Sequence, residues 1–230
     1  LPAGIPDIEI SGFAPAKLSL QFLESKKVKF ELTSSLNGIE LSYPPIGWVK
    51  EMKDEAELKI SGSLGDEVVI HDIFLRSPDL TLVGSALRNK EGNFLLNFEK
   101  LALKDVFDLK LSIKTDGAID ITGGQLNLQE FLKLPLVKNP SEKSSPLSIY
   151  LDELKLYEKQ GITRFTAALD STGKGEFSGS LNDLASFSGK LERVRSGFNM
   201  RAVSNNAGSF IRALGAAKAA DGGTAQLNLS

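Results

Sequence analysis

The chain contains no cysteine, and it has a single histidine and a single tryptophan in 230 residues. Without cysteine there are no disulfides, thiolate nucleophiles or cysteine-based metal sites. Such a composition suits a reducing cytosol, and equally an oxidising bacterial periplasm, where stray thiols are a hazard. Charge of one sign is also scarce. Twenty-seven Lys and Arg nearly balance 29 Asp and Glu, for a net charge of -2, so the basic field that nucleic acid requires is missing. No apolar run reaches the ~18 residues of a membrane-spanning helix, and no basic-then-apolar signal peptide opens the chain. It starts at Leu1 rather than Met, which reads as an excised piece of a longer protein.

Catalytic signatures are missing too. There is no GxSxG, HExxH, P-loop or GxGxxG pattern. His71 has no carboxylate or serine at a suggestive spacing and reads as structural. Asp152 and Glu153 are adjacent, so on a strand they would point to opposite faces and make a poor acid/base pair. The scattered carboxylates read as solvated surface. Asn228-Leu229-Ser230 matches a glycosylation acceptor, a pattern short enough to arise by chance. Neither an enzymatic activity, a cofactor nor a metal is expected.

What is abundant is period-two alternation. Ile8 and Ile10, then Leu18, Leu20 and Phe22, then Val28, Phe30 and Leu32 alternate with polar residues, which puts the apolar side chains of each strand on one face. The pattern continues through Leu58 and Ile60, Leu80 and Leu82, and Leu109, Leu111 and Ile113. It resumes in Phe165, Ala167 and Leu169, Phe177 to Leu181, Phe187 to Leu191, and Phe198 to Ala202. Asn37-Gly38 and Asp116-Gly117 are turn signals. Phe98 and Leu101 are less cleanly phased. Leu154 and Leu156 fall out of phase with Ile149 and Leu151, which predicts a bulge near Asp152-Glu153. Tyr43 to Trp48, with two prolines, interrupts the strands. Trp48 can be a plug at the edge of a core or a wedge that contacts lipid or ligand.

Helical signals are few. Asn127 can cap a short helix with Glu130 in the capping-box position, as a strand at Leu126 tips into one helical turn before Pro135. A second helix is expected over about 206-216, with Phe210, Ile211 and Leu214 on its apolar face and Gly215 as its stop. The expected domains are residues 1-136, a first β-region ending in a helical turn; 137-146, a polar linker with two prolines; and 147-230, a second β-region. Both regions contain Gly-Gly followed by a strand: Gly123-Gly124-Gln125-Leu126-Asn127-Leu128, and Gly222-Gly223-Thr224-Ala225-Gln226-Leu227. One continuous sheet is expected.

On the order of a dozen one-faced strands need their apolar faces covered, and two short helices can cover only a few. A closed β-sandwich or barrel would do this, as would a curled sheet with an apolar groove that receives a ligand. Gly84, Ala167, Gly179 and Gly189 on the apolar faces allow strong curvature or close packing without deciding between the two.

Leu109 to Leu132, with its strand pair and AIDITGGQLNLQEFL before a proline, resembles the signature of the AsmA-like superfamily, in its YhdP-like branch. PLSIYLDELKL from Pro146, GEFSGSLN from Gly175 and VSNNAGSFIRALGAAKAADGGTAQLNLS from Val203 resemble that family's C-terminal region. The family more often has Asp where Asn206 stands. The resemblance covers most of residues 50-230. It implies a long, curled, mainly β, antiparallel sheet with an apolar groove. The parent would be a periplasmic protein of a diderm bacterium, anchored in the inner membrane by a helix outside this chain. It would carry phospholipid between inner and outer membranes, with acyl chains and membrane components as partners. On that reading Leu109, Leu111, Ile113, Phe165, Leu169, Phe177, Leu191, Phe198 and Met200 line the groove. A non-enzymatic periplasmic scaffold that assists outer-membrane protein assembly is the alternative. A carbohydrate-binding module is disfavoured by one Trp and three Tyr.

Overall fold

The structure is a computed structural model and describes residues 8-24, 27-135, 145-157, 160-194, 197-213 and 222-229. The chain is mainly β. Strands β1 (Glu9–Gly12), β2 (Ala16–Phe22), β3 (Val28–Ser34), β4 (Ile39–Tyr43) and β5 (Trp48–Lys50) come first. They are followed by β6 (Glu57–Leu64), β7 (Val68–Arg76), β8 (Leu80–Arg88), β9 (Phe94–Leu103) and β10 (Phe107–Ile113). β11 (Ile119–Asn127) leads into α1 (Leu128–Lys133). Then come β12 (Leu147–Tyr157), β13 (Gln160–Leu169), β14 (Gly175–Leu181), β15 (Ala185–Val194) and β16 (Gly197–Ser204), with α2 (Ala207–Ala213) and β17 (Ala225–Leu229) last. These two helices are the only α-helices among the described residues.

Fourteen strands share one hydrogen-bonded order, β17-β16-β15-β14-β13-β12-β11-β10-β9-β8-β7-β6-β3-β2. The sheet therefore has two edges and is open, not a closed barrel. The strand pairs whose register is described run antiparallel except β11 with β12, which run parallel. β1, β4 and β5 form a separate three-stranded sheet. Two compact units emerge, one of residues 1-116 with 132-140, the other of residues 117-131 with 141-230. The first unit gives way to the second at Asp116-Gly117, with β11 paired to β12 inside the second unit. Residues 137-144 of the expected linker lie outside the described residues, as do residues 214-221, including Leu214 and Gly215.

In the first unit, antiparallel register turns alternation into continuous rows. One row runs Leu18, Leu32, Ile60, Ile73, Gly84, Phe98, Leu111, strand by strand from β2 to β10. The rows survive breaks in sequence parity because β-bulges absorb them. β7 takes an extra residue between Ile70 and Ile73, where His71 lies exposed, and β9 takes one between Phe98 and Leu101. A bulged residue shifts the phase by one and returns the following apolar side chains to the same face. This explains the untidy phasing of Phe98 and Leu101.

The second unit repeats the device. Ile162 pairs with Leu181 and Thr166 with Ser178, so β13 holds an extra residue between them, at Arg164 with φ 51°. The flanking pairs Leu151–Phe165 and Glu153–Thr163 set Arg164 opposite Asp152. On the other side of β12, β11 contributes Gly123 and Gly124, with φ 69° and 79°. The Gly124 N–H donates to Asp152 Oδ2 at 2.7 Å. The slip expected near Asp152-Glu153 is thus shared by three strands, and it leaves Leu151 and Leu154 both buried.

The second Gly-Gly pair adopts the same backbone, with φ 65° at Gly222 and 80° at Gly223. Only glycine enters this left-handed region without steric cost. Here the pair serves a helix end. Ala207 and Gly208 donate their N–H groups to the carbonyls of Gly223 and Gly222, at 2.9 Å each, and Asn206 Oδ1 accepts from Ser209 N at 2.9 Å. Two backbone carbonyls and one side chain thereby satisfy the first-turn donors of α2. Asn127 does the same for α1, accepting from Glu130 N at 3.3 Å.

In the small sheet, Trp48 is 8% exposed and fills the position of a core plug. Lys50 beside it is 1% exposed, and its Nζ donates to Ile39 O at 2.8 Å and Glu51 O at 2.9 Å. The ammonium position is thus occupied in tying β4 to β5, not in binding a ligand. The turn Pro44–Ile46 ends at Gly47, φ 63°, where an added Cβ would lie 2.2 Å from Pro135 Cγ. No side chain fits between them.

Candidate functional site

Few of the apolar side chains on these strands are fully buried. Among the described residues twelve apolar side chains are buried, less than one for each of the 17 strands. In the first unit the buried ones on the large sheet cluster at one end of the strands: Leu80, Leu103, Val106 and Leu109. Away from that end, Phe30, Ile60, Ile73, Leu82, Leu96, Phe98 and Leu111 are only half-buried. β9 displays this strand position by strand position: Phe94, Leu96 and Phe98 are half-buried, while Leu95, Asn97 and Glu99 are exposed. At the edge the apolar row emerges fully, with Leu18 58%, Leu20 50% and Phe22 76% exposed.

The second unit has the same construction. Leu147, Leu169, Gly175, Leu191 and Met200 form one cross-strand row, and Ile149, Ala167, Phe177, Gly189 and Ala202 form the next. Phe165, Leu169, Phe177, Leu191 and Met200 are each half-buried on this one face. Of the sequence-derived groove residues, then, Leu111, Ile113 and these five stand on half-exposed apolar faces. Leu109 is 8% exposed and belongs to the closed end of its unit. The strand register gives Phe198 the partner Arg193, and its side chain lies outside the described set. Leu109, Leu111 and Ile113 belong to the first unit, the other six to the second. Ile149, Ile162, Phe187 and Phe30 share these faces and carry the same alternation, the signal by which sequence could have included them.

Glycine and phenylalanine pair across the strands of this face. An added Cβ on Gly62 would lie 2.9 Å from the Phe30 ring, on Gly84 2.7 Å from Phe98 Cδ1, on Gly189 2.4 Å from Phe177 Cζ and on Gly179 3.1 Å from Phe187 Cζ. Each ring lies over the bare backbone of its neighbour. The small residues thus do not leave open space, as curvature alone would suggest. They receive aromatic rings, which shield strand hydrogen bonds that glycine leaves bare. Phe177 and Phe187 are 6.2 Å apart at 56°, and Phe187 meets Phe210 of α2 edge-on at 6.4 Å. At that point α2 covers the sheet.

The opposite face of the second unit is polar and carries two open hollows of ≈ 730 and ≈ 760 Å³. The first lies over Thr166, Ser178, Ser188, Lys190 and Arg201. The second lies over Glu153, Lys155, Thr163, Asn182 and Asp183, whose last two residues have positive φ. Burial raises the pKa of Tyr43. A hydrogen bond from the Thr172 hydroxyl lowers that of Asp170, Lys59 lowers that of Glu57, and Glu51 raises that of Lys53. None of these groups lines either hollow. Among the described residues no three of His, Asp and Glu are placed to hold a metal ion. None of the described helices is long and apolar enough to cross a membrane. No family model, curated protein or solved structure matches the chain.

Proposed function

We propose that this chain is a segment of a phospholipid conduit, in which the apolar faces of its strands form a groove that holds acyl chains in transit between two membranes. The observation that carries the reading is the half-exposed apolar face, kept in phase by bulges. A sheet that hides its apolar face in a packed core has no need to leave Phe98, Leu111, Phe177 and Leu191 half open. Each methylene withdrawn from water is worth ~0.8 kcal/mol, so a full acyl tail gains on the order of ten. Six inter-strand steps of ~4.8 Å span about 29 Å within one unit, about the thickness of a bilayer's hydrocarbon core and twice the depth of one leaflet.

The parent is assigned to the AsmA-like superfamily, YhdP-like branch, on the quoted motifs alone. That assignment carries with it the inner-membrane anchor, the periplasmic location and membrane partners at both ends. A contact of α2 favours a second reading, a periplasmic scaffold with a locally packed core, since Phe210 covers Phe187.

The two separate by photo-crosslinking in a diderm host. Photo-reactive residues at Leu111, Ile113, Phe165, Phe177 and Leu191 should give phospholipid adducts, and one at exposed Lys110 should give none. Adducts at Lys110 but at no apolar position would sink the conduit. Native mass spectrometry of the purified chain adds a second readout, because the scaffold predicts no co-purifying phospholipid.

A further inference from the structure

The ≈ 730 Å³ hollow on the polar face of the second unit has an electrostatic peculiarity. Glu176, Lys190 and Arg201 lie in one cross-strand row, with Lys190 directly opposite Arg201. Like charges in that relation repel and destabilise a strand pair. Lys190 is compensated on its other side, with its Nζ 3.4 Å from Glu176 Oε1. Arg201 spends a guanidinium N–H on a neutral partner, Gln226 Oε1, at 3.1 Å. One carboxylate against two cations leaves a net charge of one, facing a hollow.

The neighbouring row supplies hydroxyls. Thr166 pairs with Ser178, and Ser178 with Ser188. Thr166 Oγ1 and Ser178 Oγ are 2.7 Å apart and share one hydrogen bond, so one of their two hydroxyl protons stays free to donate. Tyr150 and Val203, each 43% exposed, stand at the two ends of this row.

We propose that this hollow binds a singly charged oxyanion of the phosphodiester class. The guanidinium fork and the ammonium would hold the two non-bridging oxygens, the geometry in which arginine binds phosphate best. The hydroxyls donate to the remaining oxygens, and Tyr150 and Val203 flank the esterified groups. Glu176 sets the charge selectivity, because a dianionic phosphate monoester would carry its second charge towards a carboxylate. Ile149, Ala167, Phe177 and Gly189 also line the hollow, but they alternate with its polar residues, so the side chains of the first three project to the acyl-chain face. Alternate residues of the same strands point to opposite faces, so no single lipid occupies both.

Two probes test it on the full chain: a soluble phosphodiester, glycerophosphoglycerol, followed by NMR titration, and vesicles of phosphatidylglycerol with phosphatidylcholine, followed by flotation. Binding to both identifies a free phosphodiester as sufficient, and binding to vesicles alone identifies a lipid headgroup at a membrane surface. Arg201→Gln and Lys190→Gln should each weaken binding about fivefold, as expected for loss of a solvent-exposed charge-assisted contact. Glu176→Gln should strengthen it about twofold by removing the competing charge, an outcome no merely structural role would give. Failure of both probes to bind overturns the proposal, as does binding that is unchanged in the Lys190→Gln/Arg201→Gln double variant. Crosslinking from the apolar face should be untouched by these substitutions, so the two proposals fail separately.

Discussion

Replacing Gly179 by Ala tests whether the glycines of the apolar face are receptacles for aromatic rings. In a strand, Gly→Ala ordinarily stabilises by about 0.4–1 kcal/mol, because alanine has less conformational entropy to lose on folding. Gly179 has an ordinary strand backbone, with no positive φ to obstruct that gain. Yet its new Cβ would fall 2.5 Å from Ile162 Cγ2 and 3.1 Å from Phe187 Cζ, both well inside contact distance. Overpacking of this kind costs about 1–3 kcal/mol. The cost exceeds the entropic gain, so the net change should be a destabilisation of roughly 0.5–2 kcal/mol. With a urea m-value of about 2 kcal/mol/M, the unfolding midpoint should fall by roughly 0.3–1 M. The clash is with side chains alone, so it can be relieved. Ile162→Ala removes the offending methyl, and the double variant should be less destabilised than the sum of the singles by at least about 0.5 kcal/mol. Displacement of Phe187 should also disturb its edge-on contact with Phe210, readable as a shift of the Phe210 ring resonances. A stabilised Gly179→Ala, or strict additivity with Ile162→Ala, would refute the reasoning.

Two further outcomes are expected. Lys50→Met should destabilise the chain by about 1–3 kcal/mol in urea unfolding, because the Ile39 and Glu51 carbonyls lose a buried donor while the volume stays filled; an unchanged midpoint would mean that water or a neighbour serves these carbonyls equally well. Asp170 has its folded pKa lowered, first by the Thr172 hydroxyl and then by the backbone N–H groups of Lys174 and Thr172. A lowered folded pKa gives stability that is present above the unfolded carboxylate value of ~3.9 and is lost as pH falls through the folded one. Asp170→Asn should therefore be less stable than the parent at neutral pH, with the gap closing on acidification; a gap that widens below that window would contradict the assigned cause.

Much of this architecture is legible in the sequence because a strand's side-chain period is local. Leu109, Leu111 and Ile113 share a face whatever the rest of the chain does, and so do Phe177, Gly179 and Leu181. The Gly-Gly pairs are equally local. Both take the left-handed backbone that glycine alone adopts freely, and Asn127 and Asn206 cap the helices their positions suggest. The parity slip at Asp152 was visible for the same reason. What alternation does not contain is which strand lies beside which. That β11 pairs parallel with β12, and so joins the second unit, is a contact between strands separated by a helix and more than a dozen further residues, which no local period encodes. The partner of each glycine, Phe98 for Gly84 or Phe177 for Gly189, is set by register between strands far apart in sequence. So is the meeting of Lys190 with Arg201. Whether apolar faces close on each other or stay half open is decided by the arrangement of whole strands, since a period of two describes a covered face and an open one in the same letters.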